Sequence, residues 1–137
     1  MLPEISLNIL DIAQNSISAE ASLIQIKVRS DSEHCLLTVT ITDNGNGMTE
    51  EMLTAVTDPF FTTRTTRSVG LGIPFFKQAA ECTGGSFSID SVYGRGTTVT
   101  ARFHTDHIDC MPLGDMNATI HELVTMNSSI DFVYERL

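Results

Sequence analysis

The sequence predicts an α+β two-layer sandwich in which helices cover one face of a mixed, mostly antiparallel sheet. Three observations carry that expectation. Residues 4–18 repeat apolar side chains at helical spacing. Two pairs of short segments alternate apolar and polar residues around polar or glycine turns, the pattern of β-hairpins. The order of helix, hairpin, loop, helix, hairpin and tail leaves the helices to pack on one side of a sheet built from the hairpins.

In the first helix, Ile5, Ile9, Ile12, Ala13 and Ile17 form the apolar stripe. Glu4, Asn8, Asp11, Asn15 and Ser18 also follow steps of three and four, so they share the other side. Asn8, Asp11 and Asn15 are poor helix formers in a helix interior. Leu23–Arg29 and Leu36–Thr42 then alternate, with the polar turn Ser30–Glu33 between them. The second strand runs into Asp43-Asn44-Gly45-Asn46-Gly47-Met48, a cluster of turn formers. Thr49-Glu50-Glu51-Met52 starts a helix with acids in its first turn. Residues 57–72 read as a loop rich in Thr, Arg and Gly. A helix follows from Gly72–Pro74 to about Cys82, ended by Gly84-Gly85. Phe87–Val92 and Thr97–Phe103 form the second hairpin around Tyr93-Gly94-Arg95-Gly96. Asp115–Met126 reads as a helix and Ile130–Tyr134 as a short strand. Phe60, Phe61, Phe75 and Phe76 are expected in the core and loop packing.

The chain has 137 residues, 42% apolar and 18% charged, which suits one domain with a full core and excludes a disordered chain. The net charge of −9 argues against general nucleic-acid binding and against adhesion to anionic membranes, because both need clustered Lys and Arg. Residues 1–103 carry seven Lys and Arg against eleven Asp and Glu, net −4; residues 104–137 carry one against six, net −5. We therefore read a domain over 1–103 and an acidic extension over 104–137, helix plus short strand, packed on the same domain, with its solvated helix covering one sheet edge. Cys35, Cys82 and Cys110 are odd in number, widely spaced and without a Cys-x-x-Cys, as expected of reduced thiols. Met1-Leu2-Pro3-Glu4 has no basic n-region and no window approaches a membrane span, so a cytoplasmic protein is expected.

Four motifs bear on chemistry, and each has a plain structural reading beside the functional one. Asp11 and Asn15 lie one turn apart. An amide oxygen suits Mg²⁺ that shares its shell with phosphates and water, and a carboxylate one turn away could orient an attacking water; a polar helix face is also commonly just solvated. Asp43-x-Gly45-x-Gly47 lets backbone approach a flat ligand and offers an acceptor to an exocyclic amine, or is an ordinary turn. Gly70-Leu71-Gly72 precedes a helix and follows Thr62, Thr63, Arg64 and Arg67, a setting that favours phosphate, or a simple loop. Gly94-x-Gly96-Thr97 is common in plain β structure.

Order and spacing give these motifs joint meaning. Asp11-Ile-Ala-Gln-Asn15, Asp43-Asn-Gly45-Asn-Gly47, Pro59-Phe-Phe61-Thr-Thr-Arg64, Gly70-Leu71-Gly72 and Gly94-Arg-Gly96-Thr97 resemble the N, G1, F, G2 and G3 boxes of the GHKL superfamily. That superfamily includes gyrase, heat-shock chaperone ATPases, histidine kinases and mismatch-repair ATPases. The resemblance covers residues 4–103 and implies a Bergerat fold that binds ATP with Mg²⁺. It implies that Asn15 ligates Mg²⁺, that Asp43 meets the adenine amine and that Gly47 and Thr97 complete the base pocket, with Ser18, Gly45 and Met48 as further ATP-binding residues. It implies that Gly70, Leu71 and Gly72, with Thr62, Thr63, Arg64 and Arg67, close over the phosphates.

The chain departs from the pattern at Asp11, where the ATPase and anti-sigma-kinase branches usually carry Glu and histidine kinases Asn. The segment 59–69 makes a short lid. A stand-alone domain is expected, because a standard histidine kinase places a dimerisation and phosphoacceptor module upstream. Ile120-His121-Glu122-Leu123-Val124-Thr125 superficially resembles a phosphoacceptor helix, but the usual Pro is missing, and Thr125 stands where a zincin needs its second His. A surface or packing role is expected for His121.

The resemblance thus implies hydrolysis of Mg²⁺–ATP or transfer of its γ-phosphate to a partner such as a response regulator, a sigma factor or an anti-anti-sigma-like protein. The alternative is a non-catalytic, nucleotide-gated binding module.

Overall fold

The structure, a computed structural model, describes residues 4–57 and 72–137. The elements in chain order are α1 (Ile5–Ser18), β1 (Leu23–Asp31), β2 (Leu36–Asp43), α2 (Glu50–Thr57), α3 (Gly72–Glu81), β3 (Ser86–Val92), β4 (Gly96–His104), α4 (Met116–Met126) and β5 (Asp131–Arg136). The five strands form one sheet in the order β3-β4-β2-β1-β5. All neighbours are antiparallel except β1 and β5, which are parallel. This is the expected α+β fold, of the Bergerat type, with a mixed sheet.

The period-2 pattern of the strands sets which face is dry. Ile24, Ile26 and Val28 of β1, Leu37, Val39 and Ile41 of β2, and Val99, Ala101 and Phe103 of β4 are all buried against the helices. Their alternates, such as Thr38, Thr40, Thr98 and Arg102, point to the other face and are half-buried or exposed. The apolar stripe of α1 meets this core through Ile5, Ile9, Ile12 and Ala13. In α3, Phe76 is fully buried and packs its ring on Phe87 and Phe103, with centroids 6.3 and 5.8 Å away.

Phe75 corrects one expectation. Its side chain is 49% exposed. Adjacent residues on a helix point about 100° apart, so α3 turns only Phe76 inward. The expectations for Phe60 and Phe61 lie outside the described residues.

The extension corrects another. The edge beside β1 is taken by a strand, β5, rather than by a helix: Ile24 pairs with Phe132 and Ile26 with Tyr134. Helix α4 is capped by the Asp115 carboxylate, which accepts from the Ala118 amide at 3.0 Å. It buries Met116, Thr119 and Leu123 and leaves His121 exposed. The linker before it has a structural task as well. Helix α1 has no side-chain cap. Its first amides, Ile5 N–H and Ser6 N–H, donate instead to the carbonyls of Pro112 and Leu113 at 2.9 and 2.8 Å. Donors that a helix N-terminus leaves unpaired are thus satisfied by backbone from the far end of the chain.

Candidate functional site

Where α1 ends and β2 runs out, the chain encloses a cavity of about 230 Å³. Its apolar walls include Ile12, Ile41, Met48, Met52, Ile73 and Val99, and its polar lining includes Asn15, Ser16, Ser18, Asp43, Asn46 and Thr97.

Asp43 is the best-fixed polar group there. The Ser16 hydroxyl donates to its Oδ2 at 2.6 Å, and the Gly45 amide donates to its Oδ1 at 2.8 Å. The second bond is an Asx turn, the local habit of Asp before Gly. Each carboxylate oxygen keeps a further lone pair, so the group can accept from a ligand in the cavity.

The glycines of the two turns let their backbones meet. Gly47 has φ +68°, and a Cβ there would fall 2.1 Å from the Val92 carbonyl oxygen. Gly96 has φ +141°, and its Cβ would fall 2.1 Å from the Asp43 carbonyl oxygen. Both positions require glycine on conformation and on space. The Gly94 amide donates to the Asn46 carbonyl at 2.6 Å, closing the β3–β4 turn onto the turn after β2.

Two serines contribute here that sequence reasoning passed over. Ser16 is 3% exposed and lies four residues after Ile12, on the apolar stripe itself. A hydroxyl at a core position needs a partner, and that spacing was the available signal. The Ser91 hydroxyl accepts from the Met48 amide at 2.8 Å, donates to the Gly96 carbonyl at 3.1 Å, and lies 2.8 Å from the Thr97 hydroxyl. It ties the Met48 and Thr97 walls together. Nothing in an alternating strand marks it out.

Asn15 lines the same cavity, and its Nδ2 is the one buried side-chain nitrogen or oxygen among the described residues without a hydrogen-bond partner. Among the described residues no hydrogen bond fixes which way this amide faces, so a half-turn about χ2 presents Oδ1 in place of Nδ2. Such an orphaned amide fits a site completed by a ligand or by a cation with oxygen preference.

Asp11 is placed differently. Gly72, the first residue of α3, sits over α1 between the two residues: a Cβ on it would lie 3.1 Å from Asp11 Cβ and 3.6 Å from Asn15 Nδ2. Asp11 lines a separate groove between α1 and α3 and is not among the residues lining the cavity. It is surface-exposed, yet the packing at its base desolvates the carboxyl enough to push its pKa above the ordinary carboxylate value. Of the predicted site residues, the structure gathers Asn15, Ser18, Asp43, Gly47, Met48 and Thr97 around the cavity. Gly45 is held against Ala19 and Asp43 beside it. Thr62, Thr63, Arg64, Arg67, Gly70 and Leu71 lie outside the described residues. No helix among the described residues is long and apolar enough to cross a membrane.

Comparison with known proteins shows what the chain is similar to. The family described as histidine kinase-, DNA gyrase B-, and HSP90-like ATPase matches residues 1–107. Sporulation kinase B of Bacillus subtilis (strain 168) is 30% identical over 101 residues, covering 72% of this chain and 23% of that protein. The signal transduction histidine-protein kinase AtoS of Escherichia coli (strain K12) is 34% identical over 101 residues, covering 73% and 16%. The sensor histidine kinase ZraS of the same strain is 29% identical over 92 residues, covering 67% and 20%. The chain thus spans about a fifth of the length of these relatives.

Proposed function

This chain belongs to the histidine kinase-, DNA gyrase B- and HSP90-like ATPase family, and we propose that it holds Mg²⁺–ATP in the cavity beside Asp43 and either hydrolyses it or passes its γ-phosphate to a partner protein. Family membership makes it an ATP-binding, kinase-like domain, and its kinase relatives imply a protein partner.

The observation that carries the proposal is the fixed Asp43 carboxylate at the wall of an apolar cavity. Adenine presents an amine to an acceptor there. Guanine would present a carbonyl oxygen, and two facing acceptors repel, so the site selects adenine. Gly47 and Thr97 bound the base, and Met48, Met52 and Ile73 supply apolar contact. Asn15 would offer its amide oxygen to Mg²⁺, which when bound neutralises charge across the phosphates. Gly70, Leu71, Gly72, Thr62, Thr63, Arg64 and Arg67 are the residues we assign to the phosphates. Asp11 would orient the attacking group, and its raised pKa suits a group that gains a proton readily. In this reading residues 104–137 pack on the same domain.

A second reading, a nucleotide-gated binding module without catalysis, is favoured by one observation: Asp11 faces the groove and not the cavity. Mg²⁺-dependent phosphate release from ATP, measured beside Asp11→Asn, separates the two. Turnover lost in the variant supports an ATPase with Asp11 as its base. Tight ATP binding without turnover supports a partner-dependent kinase or the gated module. Absence of ATP binding by calorimetry would overturn the proposal.

A further inference from the structure

We propose that the groove between α1 and α3 docks a basic amphipathic segment of the protein partner. The groove encloses about 480 Å³. Its apolar lining includes Leu7 and Met111, both half-buried, and Phe75, an aromatic ring left 49% exposed on the first turn of α3. Its charged lining is Glu4, Asp11 and Asp109, and no Lys, Arg or His among the described residues lines it. None of the three carboxylates has a salt-bridge partner among Lys and Arg of the described residues. Asp109 lies 3.9 Å from the exposed imidazole of His107, a contact that is ionic only when His107 is protonated.

The chemistry of the occupant follows from this lining. A half-exposed Phe between two helices is an anchor that gains by being covered. Three carboxylates of one sign, in a chain of net charge −9, attract cations and repel acidic partners. An occupant with Lys or Arg flanking an apolar side chain satisfies both. A second copy of this chain, itself strongly acidic, does not.

The groove adjoins the nucleotide cavity, because Gly72 packs against both Asp11 of the groove and Asn15 of the cavity. A segment docked there would bring a side chain beside the phosphates. That consequence rests on the proposed function; the docking itself rests only on the groove.

The test titrates the full chain with a fluorescein-labelled amphipathic helical peptide of Lys, Leu and Ala, and with its Glu-for-Lys counterpart, followed by polarisation. The basic peptide is expected to bind and the acidic one not. Phe75→Ser should weaken binding about 30-fold, as for truncation of a buried aromatic anchor. Asp109→Lys should weaken it about tenfold. Glu33→Lys makes the same charge change at the β1–β2 turn and should leave the affinity unchanged.

Equal losses from Glu33→Lys and Asp109→Lys would reveal diffuse attraction to an acidic surface and overturn the proposal. So would unchanged binding to Phe75→Ser, or self-association of the wild type that Phe75→Ser abolishes. A fluorescent ATP analogue titrated into the same proteins keeps the two readings apart. Wild type that binds peptide but no nucleotide sinks the nucleotide reading alone. Wild type that binds nucleotide but no peptide sinks the docking alone. Phe76, and not Phe75, sits in the core, so the melting transition of Phe75→Ser should stay close to that of wild type.

Discussion

Replacing Asp43 by Asn isolates the interaction on which, in the proposed reading, nucleotide choice depends. The Gly45 amide needs an acceptor, so the new side chain keeps its oxygen where Oδ1 now accepts at 2.8 Å. Its NH₂ then takes the place of Oδ2, which the Ser16 hydroxyl reaches at 2.6 Å. A hydroxyl both donates and accepts, so Ser16 turns and that bond survives. The second N–H of the amide is left facing the adenine amine, donor against donor. The loss is one charge-assisted hydrogen bond plus an unmade donor, together about 3 kcal/mol. That is about 150-fold in the Kd for ATP. A carbonyl oxygen in the same place would instead accept from the new N–H, so GTP should gain relative to ATP. Calorimetric titration with both nucleotides, beside a thermal melt, measures each term. A folded variant that binds ATP within about threefold of wild type would refute the assignment of Asp43 to the base.

Four further changes to the chain have expected outcomes. Gly96→Ala forces a side chain at φ +141° and 2.1 Å from the Asp43 carbonyl, so denaturant unfolding should show a loss above about 3 kcal/mol, and ATP affinity should fall with it. Asp11 has its pKa raised by desolvation, so the folded state binds the proton more tightly than the unfolded chain, and this group's contribution falls as pH rises through the window just above its ordinary value; Asp11→Asn should flatten that part of the stability profile. If Asp11 is the base, wild-type phosphate release should rise with pH over the same window, and an unchanged profile in the Asn variant would exclude it. Leu123→Ala empties a fully buried position of α4 and should cost about 2–5 kcal/mol by the same unfolding measurement. Removal of residues 108–137 takes away the carbonyls that pair the first amides of α1, so the shortened chain should fail to give a cooperative melt, and a folded, ATP-binding 1–107 fragment would show the extension to be dispensable.

The parts of the fold legible in the sequence are those fixed by local periodicity. The two hairpins could be read because one face of each strand is less exposed than the other, fully buried in β1, β2 and β4 and half-buried in β3, and the alternation records it. The α1 stripe could be read for the same reason at a different period. The place of β5 could not. Whether Ile130–Tyr134 joins β1, β3 or nothing depends on which sheet edge is open and on where the linker runs, and neither leaves a trace in the strand's own residues. The capping of α1 by Pro112 and Leu113 is hidden for a similar reason: backbone carbonyls have no sequence identity. Phe75 and Phe76 show a finer limit. Both are large and apolar, and only the phase of α3 against the sheet decides which one the core takes.

The candidate site shows where spacing stops and tertiary placement begins. Helical geometry puts Asp11 and Asn15 on one side of α1, one turn apart, and that much was legible. It does not say what lies over them. Helix α3 lands with Gly72 between the two, close enough that even a methyl group would press on Asp11. One polar face is thereby divided. Asn15 goes with Asp43 to the cavity, and Asp11 goes with Phe75 to the groove. If ATP and a partner bind as proposed, Asp11 lies beside both the phosphates and the incoming side chain. Catalysis would then be completed by the partner, and the free chain should turn over ATP slowly while binding it well. Fast turnover in the absence of any partner would break that link, because it would require Asp11 to act from the groove alone.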